Sequence, residues 1–186
     1  MILRLRFYAD PVLRKQASII KEVTDEIREL VKDMIETMDS YNAIGLAANQ
    51  VGVLKRIFVT RKEIILPDGT FALGKETVYI NPVLSDPSVD QEVMLEGCLS
   101  FPKLHVDVSR PIKITVEALD LDGKPFKEVL QGFDARAVMH ENDHLNGTFH
   151  IDRCSKEDRK NLDPFLRSLK EKYKHTYDKS EKAHRL

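Results

Sequence analysis

The sequence predicts an α+β fold in which antiparallel or mixed β-sheets pack around a central helix that carries an HExxH motif. Strand-like segments follow one another in the middle of the chain and do not alternate with helices, which is typical of antiparallel sheets. Helical periodicity is limited to a long segment near the N-terminus, the HExxH segment and a segment near the C-terminus. Together these observations favour α+β over an alternating α/β arrangement.

The first helix is predicted from Thr24 to about Tyr41. Apolar residues recur there every three or four positions, which places them on one helix face. Thr24 suits the N-cap, and Asp25 and Glu26 suit the positive end of the helix dipole. We interpret this segment as a core-packing helix without chemistry. Its apolar positions are Ile27, Leu30, Val31, Met34, Ile35, Met38 and Tyr41.

Four short runs predict strands. They are rich in β-branched and aromatic residues, or they alternate between apolar and polar side chains. Asn81-Pro82 is expected to close the second run, and Asp122-Gly123 indicates the hairpin turn before the fourth. The runs are 57–59, 78–80, 112–116 and 126–130.

Helical character returns from about Phe133 to Leu145, and Gly147 is placed to stop that helix. A last helix is predicted from Pro164 to about Tyr177, because proline is favoured in a first turn. We expect one domain, with a main body at 1–155 and a C-terminal helical extension with a polar tail at 156–186.

The composition is that of an ordinary globular chain. Its 186 residues carry a formal net charge of −1, which excludes a strongly basic nucleic-acid binder. No apolar run approaches the ~20 residues that cross a bilayer. Arg4, Arg6 and Asp10 interrupt the apolar residues at the N-terminus, so we expect no secretory signal, a cytoplasmic location and two reduced cysteines.

Two histidines one helical turn apart suggest a metal site. His140, Glu141 and His144 form the HExxH motif, and both imidazoles can share one ion because they lie on one helix face. Glu141 then lies beside the ion and can act as general base on an activated water. The alternative is a pair of surface histidines on a polar helix, which the motif alone does not exclude.

A catalytic site of this kind usually has a third protein ligand. His150 completes the spacing H-E-x-x-H-x-x-G-x-x-H of the metzincin proteases. That pattern also requires a methionine after the third histidine, whereas the last methionine here is Met139. We therefore interpret the match of His150 as accidental.

Cys98, 42 residues before His140, is the favoured third ligand. A thiolate on a divalent cation stays deprotonated near neutral pH, and Gly97 would let the backbone approach the ion. A buried structural cysteine is the alternative for Cys98. We interpret Cys154 as a structural cysteine, because it follows the helix among charged residues.

A run of small residues at 43–52 contains Gln50. Small side chains let a backbone approach a ligand closely, and the Gln50 amide could donate to a developing oxyanion. A tight helix–sheet contact would explain the same run.

Three segments in this order resemble the motifs of bacterial peptide deformylases. The resemblance also includes the segment 10–14 and the pairs Asn81-Pro82 and Arg110-Pro111, and it covers about residues 2–155. The three motif segments are IGLAANQ at 44–50, EGCLS at 96–100 and HENDHLNG at 140–147.

The resemblance implies a metal-dependent hydrolase that removes the N-formyl group from the N-terminal methionine of newly synthesised chains and releases formate. The metal would be Fe²⁺, with Zn²⁺, Ni²⁺ or Co²⁺ as substitutes. Glu141 would be the general base, and the Gln50 side chain and the Leu99 backbone N–H would hold the oxyanion. The implied metal ligands are Cys98, His140 and His144.

The resemblance also implies how the peptide binds. An extended substrate would pair as an added strand with the backbone of Ile44 and Gly45 on one edge and Gly97 on the other. Core packing is the alternative role for every residue of the implied methionine pocket. These pocket residues are Ile44, Met94, Leu99, Phe133, Arg136 and Ala137.

For partners we expect formyl-methionyl peptides, no membrane, no specific DNA and a monomeric protein. From Asp152 to Leu186 there are 11 basic and 7 acidic residues, which suits either a solvated helix or docking to an anionic surface such as the ribosome. The functional alternatives are an HExxH zinc peptidase and a non-catalytic ribosome-associated module. Because every position needed for chemistry is filled, the second alternative is disfavoured.

Five positions depart from the family pattern. Ala43 replaces a usual glycine, Asn49 a proline, Met139 a glutamine and His105 an arginine. Arg136 replaces an aliphatic residue. We expect its stem to line the pocket while its head reaches water or places a cation near the substrate.

Overall fold

The computed structural model describes residues 1–176, which form two antiparallel sheets and four α-helices. The larger sheet has the order β1-β2-β3-β6-β7, and β4 pairs with β5 in the smaller one. All neighbouring strands run antiparallel, which confirms the α+β prediction. The strands are β1 Gly45–Ala47, β2 Ile57–Ile65, β3 Phe71–Ser85, β4 Gln91–Gly97, β5 His105–Pro111, β6 Lys113–Leu119 and β7 Pro125–Gln131. The helices are α1 Asp25–Ser40, α2 Gly132–Leu145, α3 Lys156–Asn161 and α4 Asp163–Tyr173.

Helix α1 differs from its predicted bounds by one residue at each end, and its apolar face packs on the larger sheet. Tyr41 is the exception, since it is 48% exposed. Thr37 is buried on the same face, where its hydroxyl accepts from the Leu3 N–H at 2.8 Å and donates to the Asp33 carbonyl at 2.6 Å. These bonds satisfy a polar group that periodicity alone would place in solvent.

The first four residues of β2, in the larger sheet, are buried on both faces of the sheet. Ile57 and Val59 of β2 join the apolar cluster of α1, whereas Phe58 points to the other face and packs with Tyr79 in the cluster of α2. This is the alternation expected of a strand between two layers. Helix α2 also contacts β5 of the smaller sheet, so it lies against both sheets.

The prediction that Asn81-Pro82 closes a strand is wrong, because β3 continues to Ser85. The register of β3 against β6 shifts between Ile80 and Val83, and Asn81 has a positive φ of 51°. Its side chain is bonded to the backbone N–H and C=O of Ile20, at 2.9 and 2.8 Å. The proline is accommodated because it occupies a bulge.

Strands β1, β4 and β5 were not predicted. Strand β1 is only three residues long. Strand β4 exposes the apolar Val93 and Leu95 and buries the charged Glu96, and β5 buries the charged Arg110. Near the functional site, burial in these strands therefore does not follow the hydrophobic pattern that predicts a strand.

The C-terminal segment forms two helices instead of one. Helix α4 begins one residue before the predicted start and ends at Tyr173, and the predicted end at Tyr177 lies outside the described residues. Leu166 and Leu169 of α4 are buried with Phe101 and Phe149. The extension therefore shares the core of the main body. Among residues 1–176, no helix combines the length and apolar character needed to cross a bilayer.

We predict that Leu166→Ala lowers the free energy of unfolding by about 2–5 kcal/mol, because it leaves a cavity where α4 meets the main body. Chemical denaturation measures the change. The neighbouring Phe165, which is 38% exposed, provides the control: Phe165→Ala should cost clearly less. Equal, small losses for both variants would contradict the packing described for α4.

Candidate metal centre

Helix α2 carries two histidines on its buried side. His140 and His144 are separated by one turn, and their ring centroids lie 5.2 Å apart. The helix ends at Leu145 and is capped by Asn146. Gly147 then adopts a positive φ of 69°, which agrees with its predicted role in ending the helix.

Cys98 follows directly after β4 and meets both imidazoles. Its Sγ is 3.2 Å from Nε2 of His144, and the ligand atoms of Cys98, His140 and His144 all lie within 4.8 Å of one another. Two such ligands on one tetrahedral ion would be about 3.5 Å apart, given metal–ligand bonds of about 2.0–2.3 Å. The three donors therefore fit a single divalent cation.

Glu96 orients the first histidine. Its Oε2 lies 2.9 Å from Nδ1 of His140. Because a carboxylate accepts the ring proton at Nδ1, we assign the lone pair to Nε2, which is then free for a metal. Sequence reasoning missed Glu96, although it precedes Cys98 by two residues within the same motif.

Arg110 balances the buried Glu96 carboxylate. It donates to both Glu96 oxygens, at 2.6 and 2.9 Å, and to Asp143 at 2.9 Å. Burial opposes ionisation of Glu96, but the hydrogen bonds and charges of Arg110 and His140 outweigh it and hold its pKa below the ordinary value. The result is a charged network that joins β4, β5 and α2.

Arg136 does not reach water as predicted. It is 5% exposed, and its guanidinium donates to Glu96 Oε1 at 2.7 Å, to the Val108 carbonyl at 2.9 Å and to the Glu92 carbonyl at 2.7 Å. The head does not reach water because it lies against β4 and β5, where the Glu96 carboxylate and two backbone carbonyls accept its hydrogen bonds. Arg136 is thus a second cation on the carboxylate that holds His140.

Glu141 points into the same cavity and is buried. Burial raises its pKa to about 7, and its Oε2 has no hydrogen-bond partner within residues 1–176. The absence of a side chain at Gly45 leaves room for the Glu141 side chain, since a Cβ at Gly45 would lie 2.8 Å from Cγ of Glu141. A carboxylate with one unpaired buried oxygen beside three metal donors is suited to accept a proton from water.

Gln50 presents its amide nitrogen to the ligand set. Its Oε1 accepts from the Ala47 N–H at 2.9 Å, which fixes the orientation of the amide. Its Nε2 therefore faces Ser100 Oγ at 3.3 Å and Cys98 Sγ at 3.5 Å. The contact to Ser100 is long and cysteine sulfur is a weak acceptor, so the donor can be redirected to a ligand without loss of a strong bond.

His150 lies outside the ligand set. Its ring is buried, 5.7 Å from that of His140 and 5.0 Å from that of Phe101. Burial lowers its pKa to about 3, so the ring is neutral, and neither nitrogen has a hydrogen-bond partner among the described residues. Cys154 is half-buried and donates to the Ile151 carbonyl, as a structural cysteine would.

A cavity of about 670 Å³ opens beside Cys98, His140 and Glu141. Gly97 stands at its wall, and a Cβ there would lie 2.8 Å from the His105 ring, so the glycine makes room for His105 and not for an ion. The cavity brings together the predicted peptide and pocket residues. Those that line it are Ile44, Gly45, Met94, Gly97, Leu99, Phe133, Arg136 and Ala137.

An α+β fold with an HExxH helix, a cysteine thiol from a separate segment beside both histidines and a carboxylate at an open cavity is typical of metal-dependent hydrolases. Comparison with known proteins gives the particular family. The family model of polypeptide deformylases matches residues 2–160, and the chain belongs to that family.

Individual relatives agree with this assignment. Peptide deformylase 1 of Clostridium perfringens is 45% identical over 151 residues, which cover 81% of this chain and 97% of the relative. The crystal structure of peptide deformylase from Thermotoga maritima has a TM-score of 0.75 at 37% identity, and the match covers 83% of this chain and 99% of that one. The deformylase structure from Ehrlichia chaffeensis gives a TM-score of 0.83 at 34% identity, with 92% and 98% covered.

We predict that Glu96→Gln weakens metal binding by about 10–100-fold, because a neutral amide orients His140 less firmly. Competition with a chelator, followed by metal analysis, measures the effect. Glu92→Gln on the same strand is the control, since the Glu92 side chain is exposed. Unchanged metal affinity in Glu96→Gln would show that the carboxylate does not support the ligand.

Proposed function

We propose that this protein removes the N-formyl group from the N-terminal methionine of newly synthesised polypeptides and releases formate. Membership of the polypeptide deformylase family supports this reaction. The observation that carries it in the structure is the approach of Cys98 Sγ to the histidines of α2 beside a buried carboxylate.

The metal ligands are Cys98, His140 and His144, and we propose Fe²⁺ as the working ion, with Zn²⁺, Ni²⁺ or Co²⁺ as substitutes. Imidazole and thiolate donors suit all four ions. When bound, such an ion supplies Lewis acidity, which lowers the pKa of water and polarises a carbonyl group. Anaerobic purification followed by metal analysis and formate assays would identify the ion.

Glu141 is the proposed general base and acid. Its unpaired Oε2 accepts a proton from the attacking water and returns it to the nitrogen of the departing amine. The Nε2 of Gln50, held toward Cys98, donates to the oxygen of the formyl group as negative charge develops there. The backbone N–H of Leu99 is the second proposed donor to this oxygen.

The peptide is proposed to bind between two strand edges. In the described residues, β1 and β4 each have one hydrogen-bonding neighbour, so each retains an open edge. The Ile44 carbonyl accepts from the Arg61 N–H, so the alternation along β1 turns the N–H and C=O of Gly45 toward the open side. An extended peptide can pair there and with Gly97 across the cavity.

We place the methionine side chain in the part of the cavity next to α2. Met94, Phe133 and Ala137 provide apolar contacts, and Ile44 and Leu99 also line the cavity. The Arg136 stem completes the lining, while its head is occupied by Glu96 and two carbonyls. The pocket therefore receives an uncharged side chain without exposing it to an unpaired cation.

We predict that Gln50→Leu lowers kcat by about 10²–10³-fold with unchanged metal content, because one oxyanion donor is lost. Formate release from formyl-Met-Ala-Ser measures it. Gln50→Glu is a second variant that keeps the acceptor for the Ala47 N–H but removes the donor. Near wild-type turnover in both variants would remove Gln50 from the reaction.

Glu141→Ala should lower kcat further and retain the metal, because the carboxylate takes part in proton transfer and is not among the three clustered ligands. Metal analysis and formate release on the same sample test both parts. A casein cleavage assay on the wild type separates this function from that of a peptidase.

We further propose a cytoplasmic monomer that docks on the ribosome through basic residues of α4. Arg167 and Lys170 are exposed, whereas the apolar side of α4 is buried. An anionic RNA surface suits such a helix face.

The double charge reversal Arg167→Glu with Lys170→Glu should reduce ribosome co-sedimentation in low salt and leave turnover of small peptides intact. The exposed residues Lys75 and Lys113, reversed together, give the same change in net charge on other elements. Equal losses in both double variants would indicate a nonspecific charge effect.

A further inference from the structure

The cavity extends beyond the part assigned to the methionine. Besides the metal-ligand end, its lining includes Leu5 and Phe7 of the N-terminal segment, Pro102 and the last residue of α4, Tyr173. The deformylase reaction, as proposed, uses none of these side chains.

Phe7 and Tyr173 form a stacked aromatic pair. Their ring centroids are 4.1 Å apart with an interplanar angle of 23°. Both rings are half-buried, so each retains surface toward the cavity. We call this pair the aromatic shelf; Leu5 is buried next to it in the core.

The shelf is held close to the reacting groups. On one side of Phe7 the Arg6 N–H donates to the Gln50 carbonyl at 2.7 Å, and on the other the Tyr8 N–H donates to the Ser100 carbonyl at 3.0 Å. These bonds hold the backbone around Phe7 next to Gln50 and Ser100, whose side chains contact each other beside Cys98. Leu99 packs against the same apolar cluster as Phe7.

The position of Tyr173 is also fixed, because α4, which carries it, is anchored to the main body. Leu169 and Leu166 are buried in the core one and two turns before it, respectively. Beyond α4, the Thr176 carbonyl accepts a hydrogen bond from Arg4 of the N-terminal segment. The two chain segments that build the shelf thus hold each other in position.

We propose that the aromatic shelf binds an apolar side chain of the residue that follows the formylated methionine. This inference rests on the proposed function, and it extends the peptide site to α4. Successive side chains of an extended chain point to opposite sides, so a methionine directed toward α2 sends the next side chain away from α2. The shelf lies in the same continuous cavity and offers the half-buried rings of Phe7 and Tyr173 to that side chain.

The proposal gives this protein a selectivity that the metal centre does not supply. A peptide with leucine after the methionine gains contact with the shelf, whereas alanine does not reach across it. Since the gain is made in binding, it appears in KM more than in kcat.

Three substrates test the proposal: formyl-methionine amide, formyl-Met-Ala-Ser and formyl-Met-Leu-Ser. For the wild type, kcat/KM should be roughly tenfold higher with leucine than with alanine. Tyr173→Ala and Phe7→Ala should each reduce this ratio to below about twofold, mainly through KM. Formyl-methionine amide, which ends before the shelf, should be affected much less than formyl-Met-Leu-Ser. Tyr173→Phe should keep the ratio, because stacking does not need the hydroxyl.

Phe165→Ala is the control on the same helix, since Phe165 does not line the cavity, and it should leave the ratio unchanged. The proposal is overturned if the wild type shows no preference for leucine, or if both alanine variants lose activity equally on all three substrates. In those cases formate release by the wild type still supports the deformylase function. Absence of formate release from every substrate would instead overturn the proposed function itself.

Discussion

The buried carboxylate of Glu96 is the constraint on which the metal centre depends. It takes hydrogen bonds from Arg110, Arg136 and His140, and these four residues come from β4, β5 and α2. Removal of one partner from a buried charge network typically costs about 3–5 kcal/mol, because it leaves an uncompensated charge. Cys98 follows Glu96 by two residues, so the network also fixes the place where the thiolate meets the imidazoles.

The fold leaves two strand edges open on either side of the cavity, where the peptide is proposed to bind. Strand β1 ends the larger sheet and β4 ends the smaller one, while α2 lies against both sheets. Such edges ordinarily invite unwanted pairing with other chains. Here β1 is only three residues long, and both edges flank the cavity beside α2, so their exposed backbone is available for the proposed peptide pairing.

The departures from the family pattern have structural accounts at two positions. Arg136, expected to be such a departure, contributes a second cation to Glu96, so that the cavity wall also supports His140. One edge of the His105 ring approaches Gly97 at the cavity wall, where the absence of a side chain leaves room for the ring. The structure gives no reason for Met139.

The sequence by itself determined what is local. Helix α1, the hairpin of β6 and β7 and the pairing of His140 with His144 follow from periods of 3.6 or 2 and from turn residues, and three short motifs were enough to indicate the family and its reaction. Tertiary structure decided which distant segments meet. The identity of Glu96 as the partner of His140, the burial of the Arg136 head and the approach of α4 to the cavity all join residues tens of positions apart. A local pattern fixes which face of an element is apolar, but the partner of that face depends on how the whole chain packs.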